Sequence, residues 1–310
     1  MTAPLGLYSD LRMLREALPL PEAADLSREE TRERRLAYGA LTDTPLEMAL
    51  ETIASARRSL DVLDMSKGEG GSPLEPGWVA QGRRVFDRAE QRVAGDLRAG
   101  IASNITGLYV IVDPEATGGR PVIEVAEAVL NGGARVLQLR DKVHDKGEVL
   151  PVAERLRQLC DRYYALFIIN DDADLALSSG AHGVHVGQSD LPVAEARRVL
   201  APRQIVGRSN NTVEEAVDSD ARGADYIAVG AVFPTGTMGK GVRPVVGVQM
   251  VSKVKEQVSR PVVAIGGMTA DNVADAVTAG ADCVCVVSAV TLADDPEAAA
   301  RRIVEAMARE

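Results

Sequence analysis

The sequence predicts an α/β chain: a closed (β/α)8 TIM barrel preceded by a small all-helical N-terminal domain. Three observations carry this. From Gly107 onward, short apolar runs alternate eight times with amphipathic helical segments. Several junctions share an x-Gly-Ala unit, which fits a left-handed helix C-cap leading straight into a strand. Polar and charged residues gather just after the runs, where the strands of a barrel end.

Residues 1–103 form the predicted helical extension, rich in Arg, Glu, Leu and Ala. The basic stretch Arg28 to Arg35 is interleaved with Glu and reads as a solvated helix face. Leu46, Ala49, Leu50, Ile53, Ala56, Leu60 and Leu63 recur at helical spacing, with Thr44-Pro45 as a start. A Gly-rich loop follows at Lys67 to Pro73. A second helix runs from near Trp78 to Leu97, with Val79, Val85, Phe86, Ala89 and Val93 on its apolar side. No catalytic-looking cluster lies here. The extension reads as a docking or oligomerisation module, compatible with a homo-oligomer.

Residues 104–310 form the predicted barrel. Its runs are Leu108–Val112, Val136–Leu139, Leu166–Ile169, Gly183–Val186, Ile205–Gly207, Tyr226–Val229, Val262–Ile265 and Cys283–Val287. Helical patterns lie between them near 122–131, 147–163, 172–179, 192–200, 212–222, 247–258 and 270–279, with a last one at 296–308. Eight repeats favour a closed barrel over an open sheet. No Gly-x-Gly-x-x-Gly follows the first run, which counts against a dinucleotide fold.

The totals exclude several classes. A net charge of -10 argues against nucleic acid as the main partner, so any phosphate ligand needs a local site. Cys160, Cys283 and Cys285 make no disulfide framework and read as small buried hydrophobes. No run spans a bilayer, and the N-terminus lacks a signal-peptide core, so the sequence reads as cytoplasmic.

The chemistry centres on Val136 to Lys142. Gln138, Arg140 and Lys142 sit at i, i+2 and i+4, so an extended backbone points all three one way. An amide and two cations at a strand's end suit a polyphosphate. The alternative is a barrel-core salt bridge between Arg140 and a downstream Asp. Asp171 and Asp190 follow adjacent strands and could share a hard divalent cation such as Mg²⁺, with substrate oxygens and water completing its shell. The competing role is helix capping by Asp171 or Asp172; both hold if Asp172 is the cap and Asp171 the ligand. His185 reads as a barrel-wall residue, the histidines being too scattered for a zinc site. Gly266-Gly267 allows close backbone approach to a phosphate, or simply makes a tight turn. Thr235 and Thr237 lie in a Gly-containing loop long enough to act as a lid. Two separate anion-binding regions suggest two phosphorylated small-molecule substrates.

Five motifs carry a resemblance: Gln138-Leu139-Arg140-Asp141-Lys142, Asn170-Asp171-Asp172-Ala173-Asp174-Leu175-Ala176, Gly183-Val184-His185-Val186-Gly187-Gln188-Ser189-Asp190, Phe233-Pro234-Thr235-Gly236-Thr237 and Ile265-Gly266-Gly267-Met268-Thr269. In order and spacing they resemble the thiamine-phosphate synthase family over roughly residues 105–308. The resemblance implies an Mg²⁺-assisted transferase joining hydroxymethylpyrimidine diphosphate to thiazole phosphate with release of pyrophosphate. It implies diphosphate binding by Gln138 to Lys142, pyrimidine contacts from Asn170 and Ser209, and Mg²⁺ on Asp171 and Asp190. It also implies thiazole-phosphate contacts from Thr235, Gly236, Thr237, Gly267, Val287 and Ser288. Arg140, Lys142 and Ser209 are the implied catalytic set.

Three positions depart from the family pattern. Asp141 stands where Glu is usual, Asn211 where His is frequent, and Met238 where a Lys follows Thr-x-Thr. Lys240, two residues on, either replaces that lysine or is a solvated loop charge. Two other readings are a thiazole tautomerase on the same barrel, disfavoured by Asn211, and a non-catalytic thiamin-precursor binding protein, disfavoured by Arg140, Lys142, Asp171 and Asp190.

Overall fold

The alternation of apolar runs and amphipathic segments resolves into eight parallel strands, each closed over by a helix. The structure, a computed structural model, describes residues 45–65, 76–236 and 244–308. The expectations for Arg28 to Arg35, for the loop at 67–73, and for Thr237, Met238 and Lys240 fall outside these residues. The chain divides into two compact units, Met1–Leu97 and Arg98–Glu310. That division falls a few residues before the 103/104 boundary expected from the sequence, inside a helix.

In the first unit, helix α1 (Pro45–Met65) and the first part of α2 (Pro76–Ala102) bury one shared cluster. Ile53, Leu60, Val79, Phe86, Ala89 and Val93 form it, with Leu46, Ala49, Leu50 and Ala56 packed against it. The 3.6-residue spacing marks each of these positions, but Val85, expected on the same side, is half-buried and outside the cluster. Helix α2 continues to Ala102, past the expected end at Leu97.

The barrel strands are β1 (Gly107–Val112), β2 (Val136–Leu139), β3 (Leu166–Asn170), β4 (Gly183–Val186), β5 (Ile205–Asn210), β6 (Tyr226–Val229), β7 (Val262–Ile265) and β8 (Cys283–Val286). They pair in sequence order, and β8 returns to β1 with Leu108 opposite Val284. The helices between them are α3 (Val122–Asn131), α4 (Lys146–Arg162), α5 (Ala173–Ser178), α6 (Val193–Val199), α7 (Val213–Ala221), α8 (Val248–Lys255) and α9 (Val273–Thr278). A short helix α10 (Ser288–Thr291) follows β8, and α11 (Pro296–Met307) ends the barrel. Among the described residues no helix is long and apolar enough to cross a membrane.

The x-Gly-Ala junctions act as the sequence implies. Gly133, Gly180, Gly223 and Gly280 all have positive φ. The following alanines donate back to Val129, Ala176, Ser219 and Ala276 carbonyls at 2.9–3.1 Å, the longer of the two Schellman bonds. Each helix is thereby stopped and the chain turned directly into the next strand.

Strand period two sorts side chains into two cores. Leu137, Leu139, Phe167, Val184, Val206 and Ile227 face the helices; each such aliphatic or aromatic side chain contributes about 1.5–3 kcal/mol by leaving water. Tyr109, Ile168, Tyr226, Val263 and Cys285 face inward. Ala102, the last residue of α2, and Ile105, just before β1, belong to this interior cluster and are buried. Arg98 is tied to the barrel as well: it donates to the Pro202 carbonyl at 2.6 Å and lies 3.5 Å from Asp225. Burial lowers its guanidinium below the ordinary range, a pull reinforced by Arg197 and opposed by Asp225.

Candidate active site

The inward-facing polar residues meet at the C-terminal ends of the strands, around a cavity of about 490 Å³. Among the expected site residues, Gln138, Arg140, Asn170, Asp171, Asp190, Ser209, Thr235, Gly267, Val287 and Ser288 line it. Leu139 does not. One residue from Gln138 on a strand, it faces the opposite way, into the apolar layer beneath the helices.

Asp141 and Gly236 are likewise off the pocket wall. The Asp141 carboxylate accepts from the Val143 and His144 backbone N–H groups at 3.0 Å, and lies 2.8 Å from His144 Nδ1. It shapes the loop after β2. Burial raises its carboxyl, but the bonds from His144 and Val143 outweigh that and hold it below the ordinary range. Gly236 is exposed. Lys142 does not line the pocket; it is exposed, its ammonium 2.6 Å from Asp171.

Arg140 forms the salt bridge foreseen as an alternative, but to Asp113, just after β1, and not to an Asp downstream. Asp113 is 2% exposed and also accepts from Glu115 N–H at 2.9 Å. Arg140 still faces the pocket, so the ion pair aims the guanidinium without removing it from the site.

Asp171 has φ 61, a left-handed backbone that a non-glycine residue adopts at a cost. Burial raises its carboxyl above the ordinary range; the Lys142 ammonium opposes this and neighbouring Asp190 adds to it. Asp190 is held by the Gly187 N–H at 2.8 Å. Asp172 occupies the N-cap position of α5 without a side-chain cap bond; its carboxylate pairs with Lys146 at 2.7 Å instead. The expected division of labour between the two aspartates is thus corrected for Asp172.

The donor set suits a divalent cation. Arg140 and Lys142 stand against three carboxylates, Asp113, Asp171 and Asp190, so a diphosphate alone would meet a net negative cluster. A divalent cation, which Asp171 and Asp190 would hold, would reverse that balance. Two neighbouring carboxylates match the sparse protein ligation of Mg²⁺, which retains water and substrate oxygens.

On the far side, Gly266 (φ 101) and Gly267 (φ 64) carry the chain past the loop after β6. A Cβ on Gly267 would sit 2.5 Å from the Pro234 carbonyl, so the glycines are required for packing as well as for access. Val287, Ser288 and Ala289, at the start of α10, line the wall next to them.

Sequence reasoning did not reveal how the floor is joined. Gln138 Nε2 donates to the Tyr109 hydroxyl at 2.5 Å, and the Tyr109 and Tyr226 hydroxyls lie 3.2 Å apart. The Tyr226 hydroxyl is 3.0 Å from His185 Nδ1, and His185 Nε2 is 2.8 Å from Ser209 Oγ. His185 does sit in the barrel wall, but its ring faces the pocket. Burial pulls its pKa down to about 4, with Asp190 pulling weakly the other way, so the ring is neutral near pH 7. Burial also raises the Tyr109 and Tyr226 phenols above their ordinary range, and both stay protonated. The one sequence signal was polar residues at inward positions of otherwise apolar runs.

Comparison with known proteins agrees with this fold. A family model described as thiamine monophosphate synthase matches residues 108–290, which include nearly all of the eight strands. The thiamine-phosphate synthase of Methanospirillum hungatei is 45% identical over 202 residues, 65% of this chain and 97% of that protein. The thiamine-phosphate synthase of Thioalkalivibrio sulfidiphilus is 47% identical over 200 residues, 64% of this chain and 94% of that protein. A solved structure, thiamine phosphate pyrophosphorylase from Pyrococcus furiosus, is 36% identical with a TM-score of 0.61, covering 67% of this chain and 97% of its own. Barrel, pocket and sequence lead to one assignment: the chain belongs to the thiamine monophosphate synthase family.

Proposed function

We infer that the chain is a thiamine-phosphate synthase, a transferase. It joins 4-amino-5-hydroxymethyl-2-methylpyrimidine diphosphate to hydroxyethylthiazole phosphate, giving thiamine phosphate and pyrophosphate. One observation carries the reading: the pocket is lined from two separate groups of strand ends, those of β2 to β4 and those of β6 to β8. Arg140, Asp171 and Asp190, with Lys142 paired to Asp171, stand at one; Thr235, Gly267, Val287 and Ser288 stand at the other. Two phosphorylated substrates fit that layout better than one.

The reaction needs no protein nucleophile. The bond between the pyrimidine methylene and the diphosphate oxygen breaks, and its electron pair leaves with the diphosphate. Positive charge left on the methylene spreads into the electron-rich aminopyrimidine. The thiazole nitrogen lone pair then forms the new carbon–nitrogen bond. Arg140 and Lys142 place positive charge and N–H donors where negative charge grows. Asp171 and Asp190 would hold Mg²⁺, which supplies further charge for the departing diphosphate. Asn170 and Ser209 hold the pyrimidine, while Thr235 to Thr237, Gly267, Val287 and Ser288 hold the thiazole phosphate and so aim the attacking nitrogen.

Asn211 and the synthase names of the relatives leave the tautomerase and binding-protein readings without support. We place the enzyme in the cytoplasm, acting on small molecules. Mixing both substrates with Mg²⁺ should yield thiamine phosphate and pyrophosphate in equal amounts. No product at saturating substrates and metal would refute the assignment.

A further inference from the structure

The chain of hydrogen bonds under the pocket joins two of its lining residues, Gln138 and Ser209, through three others. Tyr109 and Tyr226 do not line the pocket at all. For packing alone, phenylalanine would serve at both positions, and burying hydroxyls costs free energy unless each finds a partner. The fold makes room for them. A Cβ on Gly207 would fall 1.9 Å from the Tyr226 ring, so only glycine lets that ring lie against β5. His185 stacks on the same ring with centroids 5.6 Å apart. At the far end, Gln138 is 1% exposed and its Oε1 has no hydrogen-bond partner among the described residues.

A hydroxyl carries one proton. An imidazole between two hydroxyls donates at one nitrogen and accepts at the other. Direction is therefore linked from end to end. When Gln138 donates to Tyr109, each hydroxyl passes its proton onward, His185 accepts at Nδ1, and His185 Nε2–H donates to Ser209. Ser209 is then left to donate into the pocket, and Gln138 Oε1 to accept there. With the amide turned round, every bond reverses: Ser209 donates to His185, and Gln138 offers its NH2 to the pocket. In both arrangements the Ser209 proton and the Gln138 oxygen are linked: when Ser209 donates into the pocket Oε1 is left needing a donor, and when Oε1 is taken by Tyr109 the Ser209 proton is taken by His185.

We propose that Tyr109, Tyr226 and His185 are positioning residues that tie the hydrogen-bonding polarity of Gln138 to that of Ser209. The pocket thereby selects a ring edge with one donor and one acceptor, such as an aminopyrimidine, over an edge with two acceptors. This rests on the reading that the pyrimidine substrate lies against Gln138 and Ser209.

The test compares binding of two probes to the full-length protein with Mg²⁺ present and the thiazole phosphate left out. One is the aminopyrimidine diphosphate; the other is its analogue with methoxy in place of amino, which offers acceptors only. The wild type should bind the methoxy compound about 10–100-fold more weakly, the cost of one buried unmade bond. In Tyr226→Phe the link is cut, the two ends reorient independently, and the ratio should fall to roughly threefold or less. Tyr109→Phe, one link further from Ser209, should act the same way and stands in should Tyr226→Phe fail to fold. The ratio is insensitive to a general loss of folded protein, because both probes suffer it equally. A wild-type ratio near one, or a large ratio unchanged in the phenylalanine variants, overturns the proposal while leaving the synthase reading intact. A wild type that binds neither probe and forms no thiamine phosphate overturns both.

Discussion

Lys142 Nζ lies 2.6 Å from Asp171 Oδ2, and Asp171 adopts a left-handed backbone that turns its carboxylate toward Asp190 at the mouth of the barrel. The ammonium offsets one of two carboxylates that would otherwise repel each other. That is a poor arrangement for stability and a suitable one for gathering a divalent cation and a diphosphate.

Asp171→Asn and Asp190→Asn should each lower turnover by roughly 10–1000-fold, the range for losing an electrostatic stabiliser, and raise the Mg²⁺ concentration for half-maximal rate. Asparagine tolerates the left-handed region, so Asp171→Asn should melt near the wild type. Metal titrations of the initial rate, paired with thermal melts, decide this. A variant that melts several degrees lower yet keeps full activity per folded molecule would show the residue to be structural.

Removing the helical extension should spare the chemistry, but where the cut falls matters. A chain beginning at Arg98 keeps the Arg98 contacts with Pro202 and Asp225 and the buried Ala102. A chain beginning at Asn104 loses both, at about 2 kcal/mol, which for a barrel of this size is roughly 4–8 °C in Tm. Both should retain the wild-type KM for each substrate. Loss of activity in a well-folded chain from Arg98 would show that the extension completes the site.

Acid should destabilise the protein through His182. Its Nδ1 accepts from Phe167 N–H at 2.9 Å, and burial pulls its pKa down to about 3, with Arg157 and Arg203 adding to the effect. The unfolded chain takes up this proton near pH 6.5 and the folded one only near 3, so stability falls as pH drops through that window. His185, near 4, acts in the same direction. Between pH 7 and pH 5 the His182 share is about 1–2 kcal/mol. Urea unfolding of His182→Gln at the two pH values should show a smaller acid loss than the wild type. Equal losses would mean that His182 titrates normally in the folded state.

Most of the architecture is legible in the sequence because it depends on local periodicity. The eight apolar runs, the helical spacing of Ile53 and Leu60, and the Gly-Ala stops at Gly133 and Gly280 each need only neighbours in the chain. The polar residues after the runs marked the pocket for the same reason: in a barrel, strand ends converge whatever the details. Some local expectations still shifted. Strand β5 runs on to Asn210, beyond the expected end at Gly207, because the polar Arg208, Ser209 and Asn210 keep pairing with β6. Helix α10 has too few residues to show a period.

The sequence by itself determined which residues could carry charge to the mouth of the barrel: Arg140, Lys142, Asp171 and Asp190. Only the tertiary structure decided whom they face. Arg140 pairs with Asp113, 27 positions earlier, because β1 and β2 are neighbours and Ile111 lies opposite Gln138. Tyr109 meets Tyr226 across 117 positions, because the closed sheet brings the inward faces of β1 and β6 together. Spacing along a strand fixes which face a side chain takes. Which side chains share that face's interior depends on how eight strands stagger when they close, and no stretch of sequence holds that information alone.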